Sequence, residues 1–240
     1  MKNKMNLILG IILLVSILLV SIFAIGCSTV KSDKKEQTSN IKNKEVVNEV
    51  RYSKELMKML PLNEKKDLNY SGTLEYGEKL KLFNISSDKK EMKIHIKGEV
   101  DKIADNGEGL SNSEHQFEKI YTVKEDSITE EQKNGKAKVK AIEKSTILKA
   151  PLDKGRTWTE KVSFMGKEYP GETKISDVYT DKDNKKVVET ETTIKGLEGY
   201  PNKIYKEKKV FKEELGLIEF FNIVLLSEND IMEFSYKLNK

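Results

Sequence analysis

The feature that most restricts this chain is a change of hydrophobic period near residue 69, after which apolar and polar positions alternate almost to the C-terminal end. The clearest stretch runs from Lys90 to Val100, where Met92, Ile94 and Ile96 alternate with Lys93, His95 and Lys97. In an extended chain that pattern buries one face and wets the other. Runs of the same kind fall at 69–76, 79–86, 115–124, 126–133, 136–148, 157–165, 172–180, 185–195, 202–213, 216–226 and 230–238. Turn chemistry punctuates them at Asn134-Gly135, Met165-Gly166, Asp181 to Asn184 and Leu215-Gly216. The pattern predicts a mainly β fold: an antiparallel meander curved into an open sheet or half-barrel of about 10–12 strands.

Before residue 69 the pattern differs. Val46, Val47, Val50, Leu56, Met57, Met59 and Leu60 recur at helical spacing until Pro61, which predicts one N-terminal amphipathic helix over 45–60. Residues 28–44 are almost wholly polar and cannot offset the entropy of ordering, so 27–44 reads as a flexible tether. The β-rich domain is then 45–240, with 68–150 and 151–240 as its two halves. Between them Ala150-Pro151-Leu152-Asp153-Lys154-Gly155-Arg156 reads as a shaped turn delivering Trp158 into the next strand.

The first 27 residues concern compartment. Lys2 and Lys4 precede an uncharged run from Leu7 to Ile25, followed by Gly26 and Cys27, the single cysteine of the 240 residues. Positive charge holds the start on the cytoplasmic side while the apolar run enters the bilayer. Ala24-Ile25-Gly26-Cys27 resembles a bacterial lipoprotein signal, with Ala24 and Ile25 departing from the usual Leu and small residue. The resemblance implies cleavage after Gly26, removal of the signal peptide 1–26 and attachment of diacylglycerol, with palmitate-type acyl chains, to the Cys27 sulfur. The partner so implied is the membrane, and the location its extracytoplasmic face. Two or more acyl chains, at about 0.8 kcal/mol per buried methylene, make such anchoring stable. An uncleaved membrane helix is the alternative, because the run is long enough to span.

Composition narrows function. Loss of Lys2 and Lys4 takes the formal charge from +4 to +2, which gives no electrostatic case for nucleic acid. Without Cys27 the chain has no thiol for a disulfide or metal site. His95 and His115 read as strand histidines on exposed faces, with neither a nucleophile partner nor metal spacing. Asp101, Asp105, Asn106 and Glu108 do not follow a calcium-loop pattern. No cofactor, metal or catalytic residue is expected. Tyr169 and Tyr200, each before a proline, read as tyrosines in turns and as candidates for a contact surface.

One further resemblance rests on Glu75-Tyr76-Gly77, on Pro151-Leu152, Gly155 and Trp158, and on Leu215-Gly216-Leu217-Ile218. Together these are similar to a group of uncharacterised lipoproteins of spore-forming Gram-positive bacteria, which implies compartment and fold and no activity. The expectation for function is a membrane-tethered, non-enzymatic binding or scaffolding module for a protein or envelope ligand, in envelope or spore assembly. The alternatives are a carrier of lipid or another hydrophobic ligand inside a curved sheet, and a cell-wall hydrolase with converging carboxylates.

Mass spectrometry of the membrane-extracted protein checks the signal. The expected amino-terminal peptide begins at lipid-modified Cys27, and the Cys27→Ala variant is expected to lose that modification. An intact peptide from Met1 through Lys31 would establish a spanning anchor.

Overall fold

The computed structural model describes residues 51–63, 67–101, 111–135, 141–227 and 230–239. Gly26, Cys27, the tether and the Asp105 to Glu108 loop lie outside the described residues. Val47–Lys240 form one compact unit. Its strands are β1 (Leu68–Gly72), β2 (Gly77–Ser87), β3 (Met92–Val100), β4 (Gln116–Val123), β5 (Ser127–Asn134), β6 (Ile142–Lys149), β7 (Thr157–Phe164), β8 (Lys167–Thr180), β9 (Lys186–Lys195), β10 (Ile204–Lys212), β11 (Gly216–Ser227) and β12 (Asp230–Leu238). Among the described residues two one-turn helices accompany them, α1 (Lys54–Met57) and α2 (Asn112–His115).

Each strand pairs antiparallel with its neighbours in the chain, as the alternation and turns predict. The open sheet or half-barrel expectation is corrected: the sheet closes into a 12-stranded barrel. Closure depends on β1, whose Tyr70 lies opposite Glu78 of β2 on one side and Leu238 of β12 on the other. A strand with ladders on both sides leaves no exposed edge. The segments 68–150 and 151–240 thus contribute to one wall.

Other differences from the sequence expectations have local causes. β1 stops at Gly72, because Thr73–Glu75 turn in a 3-10 conformation with Leu74 at φ 54° and Glu75 at φ 59°. Asn134 does not make a two-residue hairpin; it lies opposite Phe117 as the last residue of β5, and β6 begins only at Ile142. β8 starts earlier than expected, at Lys167, since Met165 and Gly166 take φ 53° and 70° in a tight turn that sets Phe164 opposite Lys167. Tyr169 and Pro170 therefore stand in a strand rather than a turn, opposite Val162 and Lys161. The ladder from β8 to β9 begins only at Gly171, so Pro170 occupies a stretch flanked by β7 alone.

The expected helix over 45–60 is shortened to α1, with 45–50 outside the described residues. Ser53 caps it, its Oγ accepting the Leu56 N–H at 3.1 Å, and the chain turns again before Pro61. The segment crosses one end of the barrel. The Arg51 N–H donates to the Lys89 carbonyl at 2.9 Å and the Ser53 N–H to Lys124 at 3.0 Å, while Lys58 accepts from the Glu214 N–H at 2.6 Å. These partners are the β2–β3, β4–β5 and β10–β11 turns. Leu56, Met59 and Leu60 are buried in the same core cluster as Leu80, Ile94, Val123 and Phe211. Each such burial stabilises by about 1.5–3 kcal/mol, so the amphipathic segment acts as an apolar stopper.

The join between the halves is made differently. β6 and β7 share a short ladder, Ile142 opposite Phe164 and Lys144 opposite Ser163. Farther along, the Glu160 carboxylate takes over, accepting the Thr146 N–H at 2.6 Å and its hydroxyl at 2.8 Å. Trp158 lands in β7, as the shaped turn predicts, and its Nε1–H donates to the Thr146 carbonyl at 3.3 Å.

On β3, Gly98 lies opposite Phe117, whose ring covers its Cα; a Cβ there would fall within the ring. Gly98→Ala is expected to destabilise the barrel by about 1–3 kcal/mol through overpacking. The Phe117→Leu change added to it is expected to restore part of that loss, measured by chemical denaturation.

Candidate functional site

Strict alternation places charged residues inside the barrel as well as outside. In β4 the inward positions are Phe117, Lys119, Tyr121 and Val123, and in β10 they are Tyr205, Glu207, Lys209 and Phe211. With Glu78 of β2 and Glu130 of β5 they form a buried polar network. The Lys209 ammonium reaches Glu130 at 2.7 Å and Glu207 at 3.0 Å. Lys119 reaches Glu78 at 3.4 Å. Two tyrosines repeat one arrangement two residues ahead of a glutamate: the Tyr76 hydroxyl donates to Glu78 and the Tyr205 hydroxyl to Glu207, both at 2.7 Å. Glu207 also accepts the Ile142 N–H at 2.9 Å, and Asn222 donates to the Tyr205 hydroxyl at 3.1 Å. Tyr121 bonds Glu130, its direct partner across the β4–β5 ladder.

Glu130 and Glu207 are converging carboxylates of the kind a hydrolase needs, but Lys209 occupies the space between them. Their side chains are 8% and 2% exposed. The same salt bridges join β5 to β10, five strands apart around the barrel, so opposite walls meet through them. Burial disfavours the Lys209 ammonium, but the two carboxylates outweigh it and hold its pKa above the ordinary lysine value. Burial foremost, with nearby Glu78, Glu130 or Glu207, likewise raises Tyr70, Tyr76, Tyr121, Tyr205 and Tyr236.

The outer face offers accessible surface. A groove of about 1080 Å³ runs across β2, β3 and β4 and is lined by Lys79, Lys81, Phe83, Lys97, Glu99, Gln116 and Glu118, with Ser113 and Glu114 of α2. These are outward positions of the three strands, and α2 precedes β4 at the groove's end. Ser111 initiates α2 with a capping box: its N–H donates to Glu114 at 2.8 Å. A second hollow of about 360 Å³ is lined by Asn69, Ser71, Glu75, Tyr76, Asp101 and Asn239, and it too touches Lys79. The two form adjoining depressions over β1–β4. In the larger one Phe83 is 60% exposed, with the Lys97 ammonium 3.8 Å above its ring centre.

The candidate residues of the sequence fall in different places. His95, half-buried on the outer face, pairs through Nδ1 with Glu118 at 2.8 Å. His115 corrects the expectation of an exposed strand histidine: it ends α2, is 3% exposed, and its buried Nδ1 meets no partner. It lies two residues before the inward Phe117 and shares that residue's parity. Tyr200 is also not at the surface; it packs against Phe164 and Tyr205 with centroids at 6.4 and 5.5 Å, and Tyr169 is half-buried against the same Phe164 at 6.3 Å. Both help fill the barrel end at the β7–β8 and β9–β10 connections. Among the described residues no group of three or more His, Cys, Asp or Glu is placed to hold a metal. The groove residues drew no attention as a sequence because each is an ordinary wet position of its strand. The signal available was Phe83, a large apolar residue in an outward register between Lys81 and Ile85.

The buried phenols ionise near pH 10 once unfolded and stay neutral in the fold. Their stabilisation is complete below pH 10 and is lost as pH rises above it, at about 1.4 kcal/mol per phenol per pH unit. Lys209, also raised, acts in the same direction above its unfolded value. Ultraviolet titration is therefore expected to show exposed tyrosines ionising first, and Tyr70, Tyr76, Tyr121, Tyr205 and Tyr236 only with alkaline unfolding.

No protein-family model matches the chain, and no curated protein matches it. Among solved structures it is similar to an inferred exported protein of Bacteroides fragilis with a YmcC-like fold, at 8% identity and a TM-score of 0.43 over 75% of this chain and 98% of that one. It is also similar to an inferred lipoprotein of Parabacteroides distasonis, at 8% identity and a TM-score of 0.38 over 75% of this chain and 96% of the other.

Proposed function

We propose that the chain is an exported lipoprotein, anchored through Cys27 on the extracytoplasmic face of the membrane, whose barrel is a non-enzymatic binding module for an extended envelope polymer. The observation that carries the binding reading is the pair of adjoining depressions on the outer wall of β1–β4, with an exposed Phe83 among amide, hydroxyl, carboxylate and ammonium groups. An elongated, mostly polar surface with one aromatic ring suits a polar chain that lies along it, with hydrogen bonds for its substituents and a ring face for its apolar side. Lys2, Lys4, the apolar run and Cys27 support the anchor.

The interior is less suited to a ligand. Opposite walls are tied by Lys209, Glu130 and Glu207, and the stopper of Leu56, Met59 and Leu60 fills one end. This favours outer-wall binding over a lipid carrier. The burial of the converging carboxylates favours binding over hydrolysis. The resemblance to lipoproteins of spore-forming Gram-positive bacteria makes the envelope of such a cell the setting in which the polymer is sought.

Sedimentation with purified insoluble envelope polymer tests the reading. The wild-type protein is expected to co-sediment, and Phe83→Ala to weaken binding by about tenfold, the equivalent of 1.4 kcal/mol. Because Phe83 is an exposed strand residue, the variant is expected to unfold like the wild type. Equal binding by both proteins would remove the groove from the function.

A further inference from the structure

Resting on the polymer-binding reading, we infer that Lys81 and Lys97, with Lys79, form an anion-binding row, and that the polymer is a linear polyanion with spaced acidic groups. Lys81 and Lys97 are direct cross-strand partners on the outer face of β2 and β3. Like charges facing each other across a ladder repel. Elsewhere the wall neutralises such conflicts: Asp177 lies opposite Glu189, but Lys154 and Lys208 sit 3.0 and 2.6 Å from them. Strand lysines commonly have a carboxylate as well, as in Lys144 with Glu131, Lys195 with Glu172 and Lys237 with Glu219.

Among the described residues the Lys81–Lys97 pair has no such ion pair. Glu118 is the cross-strand neighbour of Lys97 on β4, but its carboxylate is engaged by His95 at 2.8 Å. Lys97 instead lies over Phe83. Lys79 faces Glu99 across the same ladder, and no carboxylate lies within 4.0 Å of Lys79, Lys81 or Lys97 among the described residues. Two residues along a strand advance about 6.7 Å, so Lys79 and Lys81 stand on one face at that backbone step, with Lys97 beside the second. A chain with repeated anionic groups meets both charges in sequence, whereas a neutral glycan leaves the repulsion in place. The carboxylates of Glu99, Glu114 and Glu118 on the same groove favour a polymer whose charges are spaced apart over one densely charged throughout.

The test is calorimetric titration of the wild-type protein and the Lys81→Gln/Lys97→Gln variant with four probes: polygalacturonate, inorganic polyphosphate, neutral dextran, and phosphatidylglycerol-containing vesicles. Lys167→Gln serves as a control on a distant strand. The expected result is salt-sensitive binding of a polyanion that falls at least tenfold in the double variant and is unchanged in the control. Preference between polygalacturonate and polyphosphate identifies carboxylate or phosphate as the group bound. Dextran binding equal to that of the polyanions and indifferent to the lysines would overturn the inference while leaving the groove a polymer site. Vesicle binding without polymer binding would overturn both readings in favour of a lipid surface. Binding of no probe, together with no sedimentation with envelope polymer, would overturn the proposed function.

Discussion

The bridge from Lys209 to Glu130 and Glu207 decides what kind of object this barrel is. Twelve strands can enclose a lumen for a ligand, but here an ammonium from β10 spans to β5 and holds two walls together. Removing Lys209 would leave two buried carboxylates without their shared counterion, a loss of about 3–5 kcal/mol where such pairs have been broken. Tyr205, Asn222 and the Ile142 N–H extend the bonding, so the network specifies how the walls approach as well as neutralising charge. With the lumen committed in this way, accessible chemistry moves to the outer wall.

Closure is achieved by unequal means around the circumference. β8 and β9 share a long ladder, whereas β6 and β7 keep two backbone register pairs and hand the rest to Glu160, Thr146 and Trp158. At β1 a short strand serves two neighbours, with Tyr70 and Ser71 in register with both β2 and β12. The N-terminal stopper supplements both, since its backbone bonds bind turns from well-separated parts of the barrel. Unlike the long-range ladders, it brings Leu56, Met59 and Leu60 to one end through a short local segment capped by Ser53.

Strand positions were legible in the sequence because each is a local consequence of alternation. Met92, Ile94 and Ile96 point inward as their spacing requires, and Met165-Gly166 turns as its dipeptide does. Closure was not legible: nothing in Leu68 to Gly72 states that its second neighbour is β12, more than 150 residues away. The Asn134-Gly135 hairpin was misread because the cross-strand partner Phe117 holds Asn134 in β5, a nonlocal contact that overrides a local turn preference. The expectation of an exposed His115 fails because His115 shares the odd-numbered inward parity of Phe117, Lys119 and Tyr121, so alternation read back from β4 turns it to the core. The inward Lys119 and Lys209 follow from the same alternation, but charge made them resemble wet positions. Tyr-x-Glu at Tyr76 and Tyr205 was the cue that an inward glutamate had a built-in donor.

Inside and outside therefore follow opposite rules for the same residue types. A lysine that faces inward must have its carboxylates close by, since desolvation leaves no other source of compensation; Lys119 and Lys209 obey that rule. A lysine that faces outward is solvated already, and pairing it is worth little, about 0–1 kcal/mol. Folding thus places weak demands on the outer wall, and its charge pattern is free to serve recognition. That freedom makes the contrast between neutralised pairs and Lys81 opposite Lys97 informative: their arrangement adds no strength to the barrel, and Glu118, the nearest cross-strand acid, is held by His95. Among the described residues no carboxylate forms an ion pair with either ammonium, and Lys97 lies over the exposed Phe83 ring within the groove, so the proposed anion would compete there with water alone.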